Sequence, residues 1–303
     1  MKKLDFSQPQ QFISTATSDL AYWKTGSGPD VVFIHGWPLH AATFRNVVAH
    51  LQDQFTCHLF NLPGSLHTKV TPATRYDFNS NAQAVCSALK SLGIRNYGLI
   101  GHDSGGALAR ALADVDSEAV TALVLAGTEI PHDYTLILRS LLDLGKHPKR
   151  FHFAMKLLRF KTMRHSLFGF GGCFMNSDKI EGDFSDLFIK PLLADSSALE
   201  GQRNVLAAAK LSDMNKLQEI HQRITAPVLL LWGANDPFFP VEKAKTMLHD
   251  FAQAEMEIFA DGKLFIHEEF PQRFAEYART FLLKNTPQQN IPQGVHSLTS
   301  HSS

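Results

Sequence analysis

The chain has little cysteine: three residues in 303, scattered at Cys57, Cys86 and Cys173 with no CxxC spacing. An odd, dispersed set makes no disulfide framework and offers no thiolate cage for a metal, so a reduced, cytoplasmic setting is expected. Long apolar runs are missing too. No stretch approaches the roughly 20 consecutive apolar residues of a membrane span. The basic start Met1-Lys2-Lys3 has no apolar run behind it, so no signal peptide is read there. Neither sign of charge is in excess: 29 Lys plus Arg stand against 29 Asp plus Glu. That balance points away from nucleic acid and from a membrane surface as partners. Tyrosine is sparse, 5 residues against 23 Phe, which fits a dry, apolar interior or pocket.

What the sequence does have is alternation. Its length and its hydrophobic fraction of 44% suit one sizeable α/β domain with an insertion. Buried-strand runs at 31–34, 57–62, 96–100, 120–126, 227–232 and 255–259 alternate with helical stretches at 41–52, 80–92, 107–115, 241–251 and 268–283. A weak alternation over 11–24 reads as a hairpin. This order predicts a mostly parallel, doubly wound sheet with helices on both faces. From 131 to 216 the strand signal stops and helical segments take over, broken by Phe168-Gly169-Phe170-Gly171-Gly172. The expected organisation is a core over 1–130, an inserted helical cap over 131–216, a second part of the core over 217–284, and a disordered tail over 285–303 rich in Gln, Pro, Ser and His. The basic residues between 139 and 164 read as a solvated face.

The chain is organised around Gly101-His102-Asp103-Ser104-Gly105-Gly106. A strand that turns at once into a helix leaves room for only small residues beside its tip, and Gly101 and Gly105 provide it. The tip residue is then strained, exposed, and next to a helix N-terminus. Here the tip is Asp103; Ser104 is one residue out of frame. A carboxylate attacks saturated electrophilic carbon and forms an ester of itself. Hydrolysis of that ester needs activated water and an oxyanion hole. Three further signals fall at carboxyl ends of strands, where sites form in such sheets: His35-Gly36-Trp37-Pro38, Asp236 and His267.

Together these motifs resemble the α/β-hydrolase superfamily, in the branch with an aspartate nucleophile, over about residues 11 to 284. Gly-His-Asp-x-Gly-Gly at 101–106 is similar to the elbow of epoxide hydrolases and dehalogenases. His35-Gly36-Trp37-Pro38 resembles the oxyanion loop, Asp236 the acid after a late strand, and His267 the base before the last helix. The resemblance implies that Asp103 forms an alkyl-enzyme ester and that His267, oriented by Asp236, activates water against it. The N–H groups of Trp37 and Ser104 would hold the oxyanion. Glu129 is the fallback orienter.

The implied substrate is a small apolar or amphipathic electrophile, an epoxide opened to a diol. Dehalogenation by the same triad, or ligand binding without chemistry, are the alternatives. Against dehalogenases, the residue after Asp103 is Ser104, where a Trp or Arg is usual. Epoxide hydrolases use two lid tyrosines as acids; here the lid candidates are Tyr134, His152 and Gln202. Water and substrate are the partners expected, with no metal or organic cofactor, and the state expected is a monomer or homodimer.

Overall fold

The structure, a computed structural model, describes residues 4–286. Runs such as Val31-Val32-Phe33-Ile34 and Leu229-Leu230-Leu231-Trp232 show no polar alternation, as strands covered on both faces require. They lie in the middle of a nine-stranded sheet. The strands are β1 (Gln11–Ser14), β2 (Ser18–Gly26), β3 (Asp30–Ile34), β4 (Thr56–Asn61), β5 (Lys69–Val70), β6 (Tyr97–His102), β7 (Val120–Ala126), β8 (Val228–Gly233) and β9 (Ala254–Phe259). The order is β1-β2-β4-β3-β6-β7-β8-β9, with β5 on β2. From β4 to β9 all neighbours are parallel; β1, β2 and β5 close one side with antiparallel pairing.

Register decides where chemistry gathers. Ile34 pairs with Gly101, Gly101 with Leu125, and Ala126 with Leu231. The loops leaving β3, β6, β7 and β8 therefore emerge side by side at one edge. Between β7 and β8 the described chain is helical, from Leu136–Gly145 to Leu211–Asn215, and Leu136–Gly145 packs on Ser196–Ala208. Leu217–Arg223 instead packs on the helix Ser104–Val115 and belongs to the layer against the sheet.

Several local expectations shift. The helix expected over 80–92 runs from Phe78 to Ser91 and is capped by Asp77, whose Oδ1 accepts the Ser80 N–H at 2.9 Å. The stretches 41–52 and 241–251 each divide into a 3₁₀ turn and an α-helix. The last helix is in two parts. Ile266–Glu269 is a separate turn, because Pro271 brings no N–H and starts the helix Pro271–Asn285 afresh. Asn285 thus ends a helix, and the tail expected beyond 286 lies outside the described residues.

Candidate active site

Asp103 stands at the end of β6 with φ 52° and ψ −134°, a conformation costly to any residue with a Cβ. Its N–H is held by the carbonyls of Ala126 at 3.1 Å and Gly127 at 2.9 Å, which tie the tip to the end of β7. The helix Ser104–Val115 leaves the tip immediately. Gly105 is obligatory: a Cβ there would lie 2.3 Å from the Ile34 carbonyl oxygen and 2.4 Å from that of His35. Gly36 is equally constrained, since its Cβ would sit 2.5 Å from Asp103 Cβ. These contacts clamp the tip against the loop after β3.

The clamp aims two N–H groups at the Asp103 carboxyl. Trp37 N–H donates to Oδ2 at 2.9 Å, and the Ser104 N–H also bonds the carboxyl. The Trp37 N–H is shared with Ser104 Oγ at 3.0 Å. Nucleophile candidate and both oxyanion-hole candidates therefore occupy one site. Burial, and then the Glu129 charge, push the Asp103 carboxyl well above the usual carboxylate range, against the pull of the two N–H groups.

Asp103, Ser104 and Glu129 face a cavity of about 440 Å³. Its other walls are mostly leucine, methionine and phenylalanine from the inserted helices, such as Leu138, Met155 and Phe170. Glu129 Oε2 accepts the Thr128 hydroxyl at 2.8 Å, and the fully buried Arg110 lies 3.7 Å from the same oxygen. Burial raises Glu129 as well, with Arg110 opposing. Sequence reasoning kept Glu129 as a reserve orienter; the structure gives it a wall of the cavity.

The late acid is built but unpartnered. Asp236 Oδ1 accepts the N–H groups of Phe238 at 2.8 Å and Phe239 at 3.0 Å. Its Oδ2 is buried without a hydrogen bond, and burial lifts this carboxyl to about 7.

His267 does not join these groups. Its Nε2 lies 2.7 Å from Thr43 Oγ1, and that hydroxyl gives its own proton to Glu268 Oε1 at 3.0 Å. The imidazole therefore donates from Nε2 and leaves Nδ1 bare, which is buried without a partner. The ring packs 4.1 Å from His102 and is closed in by Phe44, Phe265 and Phe274. Burial, then His102 and Arg45, hold it well below 6.5, so it is neutral. The expected Asp103–His267–Asp236 relay is thus corrected: no hydrogen bond connects His267 to either carboxyl, and His267 is not on the cavity wall. The cause is the turn Ile266–Glu269, where Glu268 pairs with Arg45 at 2.8 Å and draws this segment toward the helix Arg45–Leu51.

The three lid donors are corrected too. Tyr134 OH is spent on Asn215 and the Leu211 carbonyl. His152 Nδ1 bonds the Pro148 carbonyl oxygen at 2.7 Å, and its Nε2 lies 3.5 Å from Glu200 on a partly exposed face. Gln202 Nε2 donates to the Gly64 carbonyl at 2.9 Å, while the main-chain carbonyl of Gln202 takes the Trp37 indole N–H at 3.0 Å. None of the three lines the cavity. Gln202 acts at one remove, by fixing the indole of Trp37. Among the described residues no group of three or more His, Cys, Asp or Glu is placed to hold a metal ion, and no helix is long and apolar enough to cross a membrane.

The model of the alpha/beta hydrolase fold matches residues 29–271. This chain belongs to the α/β-hydrolase fold family. Within that family it is 25% identical over 276 residues to human epoxide hydrolase 4, covering 85% of this chain and 73% of that protein. It is 27% identical over 253 residues to a pimeloyl-[acyl-carrier protein] methyl ester esterase of Vibrio atlanticus, covering 81% of this chain and 91% of that one. The solved epoxide hydrolase CorEH superposes with a TM-score of 0.75 over 88% of this chain and 95% of its own, at 22% identity, a likeness of fold.

Proposed function

We propose that this hydrolase-family protein attacks an apolar epoxide through the Asp103 carboxylate. The observation that carries the reading is the elbow itself: a carboxyl on a strained turn, one oxygen held by Trp37 N–H, beside a greasy cavity. Holding Oδ2 leaves Oδ1 to attack. A C–O bond forms between Oδ1 and a ring carbon, the ring C–O bond breaks, and its electron pair goes to the ring oxygen. Glu129, whose burial favours the protonated form, gives that oxygen its proton. The product is a 2-hydroxyalkyl ester of Asp103.

Dehalogenation by the same carboxylate fits less well. A departing halide needs N–H donors, and the Trp37 indole is committed to the Gln202 carbonyl. A second reading, reversible binding of an apolar ligand, draws on the burial that raises the Asp103 carboxyl and favours its protonated form.

The test is intact-mass and peptide mass spectrometry after incubation with styrene oxide or a medium-chain terminal epoxide. The expected result is the mass of one epoxide on the peptide holding Asp103, lost in Asp103→Ala and slowed in Glu129→Gln. Binding of the epoxide with no adduct in any sample would favour the reversible-binding reading.

A further inference from the structure

The orphaned oxygen of Asp236 marks a place where a hydrogen-bond donor is missing. Its surroundings identify what stands there instead. Gly127, with φ +38°, is a shared reference point: a Cβ on it would lie 2.8 Å from Leu264 Cδ1 and 3.3 Å from Asp236 Oδ2. The carbonyl of the same Gly127 accepts the Asp103 N–H at 2.9 Å. Leu264 also lines the cavity with Asp103, whereas Asp236 does not. Its own carbonyl is fixed by His102 Nε2 at 3.1 Å, so its backbone is anchored beside the elbow strand. The leucine side chain and the buried carboxyl oxygen thus flank one point beside Gly127, and the leucine also meets the reaction cavity.

We infer that Leu264 occupies the station of the ester-hydrolysing base, so that the chain makes the Asp103 ester and retains it. This rests on Asp103 being the nucleophile. Activating water against the ester needs an acceptor within about 3 Å of it. An aliphatic side chain has none, and the other carboxylate on the cavity wall, left on Glu129 after it protonates the ring oxygen, has Arg110 at 3.7 Å opposing the uptake of a further proton. Among the described residues no imidazole lines the cavity, and the nearby ones are engaged elsewhere: His35 is bonded to Gly36, Leu62 and Ser65, His102 to Leu264, and His267 to Thr43. The protein is then a stoichiometric trap for an apolar electrophile, and Asp236 is an orienting acid with nothing to orient.

Leu264→His supplies what is absent. The introduced imidazole would donate Nδ1–H to Asp236 Oδ2 and present Nε2 to the cavity. It would take a proton from water as the water oxygen attacks the Asp103 ester carbonyl. Collapse of that adduct breaks the ester C–O bond, the imidazolium returns the proton to the departing alkoxide, and diol and free Asp103 are regenerated.

The experiment follows adduct and diol together, with styrene oxide as probe, in the wild type, Leu264→His and the double variant Leu264→His/Asp236→Asn. The expected wild-type result is one label per chain, stable over hours, with epoxide consumption ending near one equivalent and no diol released above the uncatalysed background. Leu264→His is expected to release diol over many cycles at a rate at least 10²-fold higher, the lower end of what general bases contribute, and the double variant to lose most of that gain. Multiple turnovers by the wild type would overturn the inference and leave Asp103 as nucleophile intact; this arm needs no variant to fold. Absence of label in every form would instead remove the nucleophile reading. The placement of Leu264 is read separately by proton NMR of Leu264→His. A downfield imidazole N–H resonance that disappears in the double variant supports the placement, and its absence from a folded variant contradicts it.

Discussion

Two parts of the same edge of the sheet differ in what they deliver. The elbow after β6 and the loop after β3 bring a carboxyl and two N–H groups together. The loop after β9 brings an imidazole to Thr43 and a leucine to the cavity. In the first pair the backbone does the placing. Glycines 36 and 105 leave no space for another arrangement, and the functional donors are main-chain groups. In the second, side chains three residues apart compete, and a single helical turn decides which one faces inward. A site built from backbone is therefore fixed by the fold, while one built on a loop side chain is open to replacement without loss of the fold.

The largest expected effect falls on the elbow. Asp103→Ala should abolish covalent labelling by an apolar epoxide while leaving the ligand bound, as measured by mass spectrometry beside calorimetry. Gly105→Ala should come next. Its Cβ meets two main-chain oxygens that cannot swing aside, so a loss of about 2–3 kcal/mol in denaturant unfolding is expected, together with loss of labelling. His267→Ala tests the other loop. It removes a buried ring and its bond to Thr43, so unfolding free energy should fall by about 2–4 kcal/mol. The labelling rate of the folded fraction should hardly change. A base would show the reverse: little effect on stability and a large one on turnover.

The pH dependence sharpens the contrast. Burial raises both Asp103 and Glu129, and the Glu129 charge raises Asp103 further. Attack needs Asp103 ionised and Glu129 protonated, so the labelling rate should pass through a maximum, rising as Asp103 loses its proton and falling as Glu129 does. Glu129→Gln should remove the falling limb.

Asp236 gives the most local signal, one confined to a pH window. Its folded value of about 7 lies above the 3.8 of an ordinary carboxyl, so the folded chain binds this proton more tightly than the unfolded chain does. Stability from this group is complete at acid pH and is lost as pH rises toward and through 7. Asp236→Asn should therefore gain on the wild type between pH 5 and pH 8, by at most about 3 kcal/mol, as read from urea midpoints at the two pH values.

Much of the site was legible because it is written in small residues at strand ends. The frame Gly-His-Asp-Ser-Gly could be read as an elbow, and Gly36 before Trp37 as a loop that approaches it, since steric exclusion acts locally. The positions of the strands along the chain followed from runs such as Val31–Ile34 and Val228–Trp232. His267 misled because sequence order cannot say which of several residues near a helix start turns inward. That orientation depends on Arg45 and Thr43, more than 200 positions away. Tyr134, His152 and Gln202 failed for a similar reason. Each was suited chemically, but each meets a partner, Asn215, Pro148 or Gly64, that only packing supplies. Leu264 carried no signal at all in a search for polar chemistry, because its meaning lies in the carboxyl near it.

The most direct measurement is a crystal structure of the wild-type chain soaked with styrene oxide. The account predicts continuous density from Asp103 Oδ1 to a ligand carbon, with Leu264 against the adduct and the His267 imidazole still on Thr43. An unbonded ligand, or His267 turned to face Asp103, would contradict it.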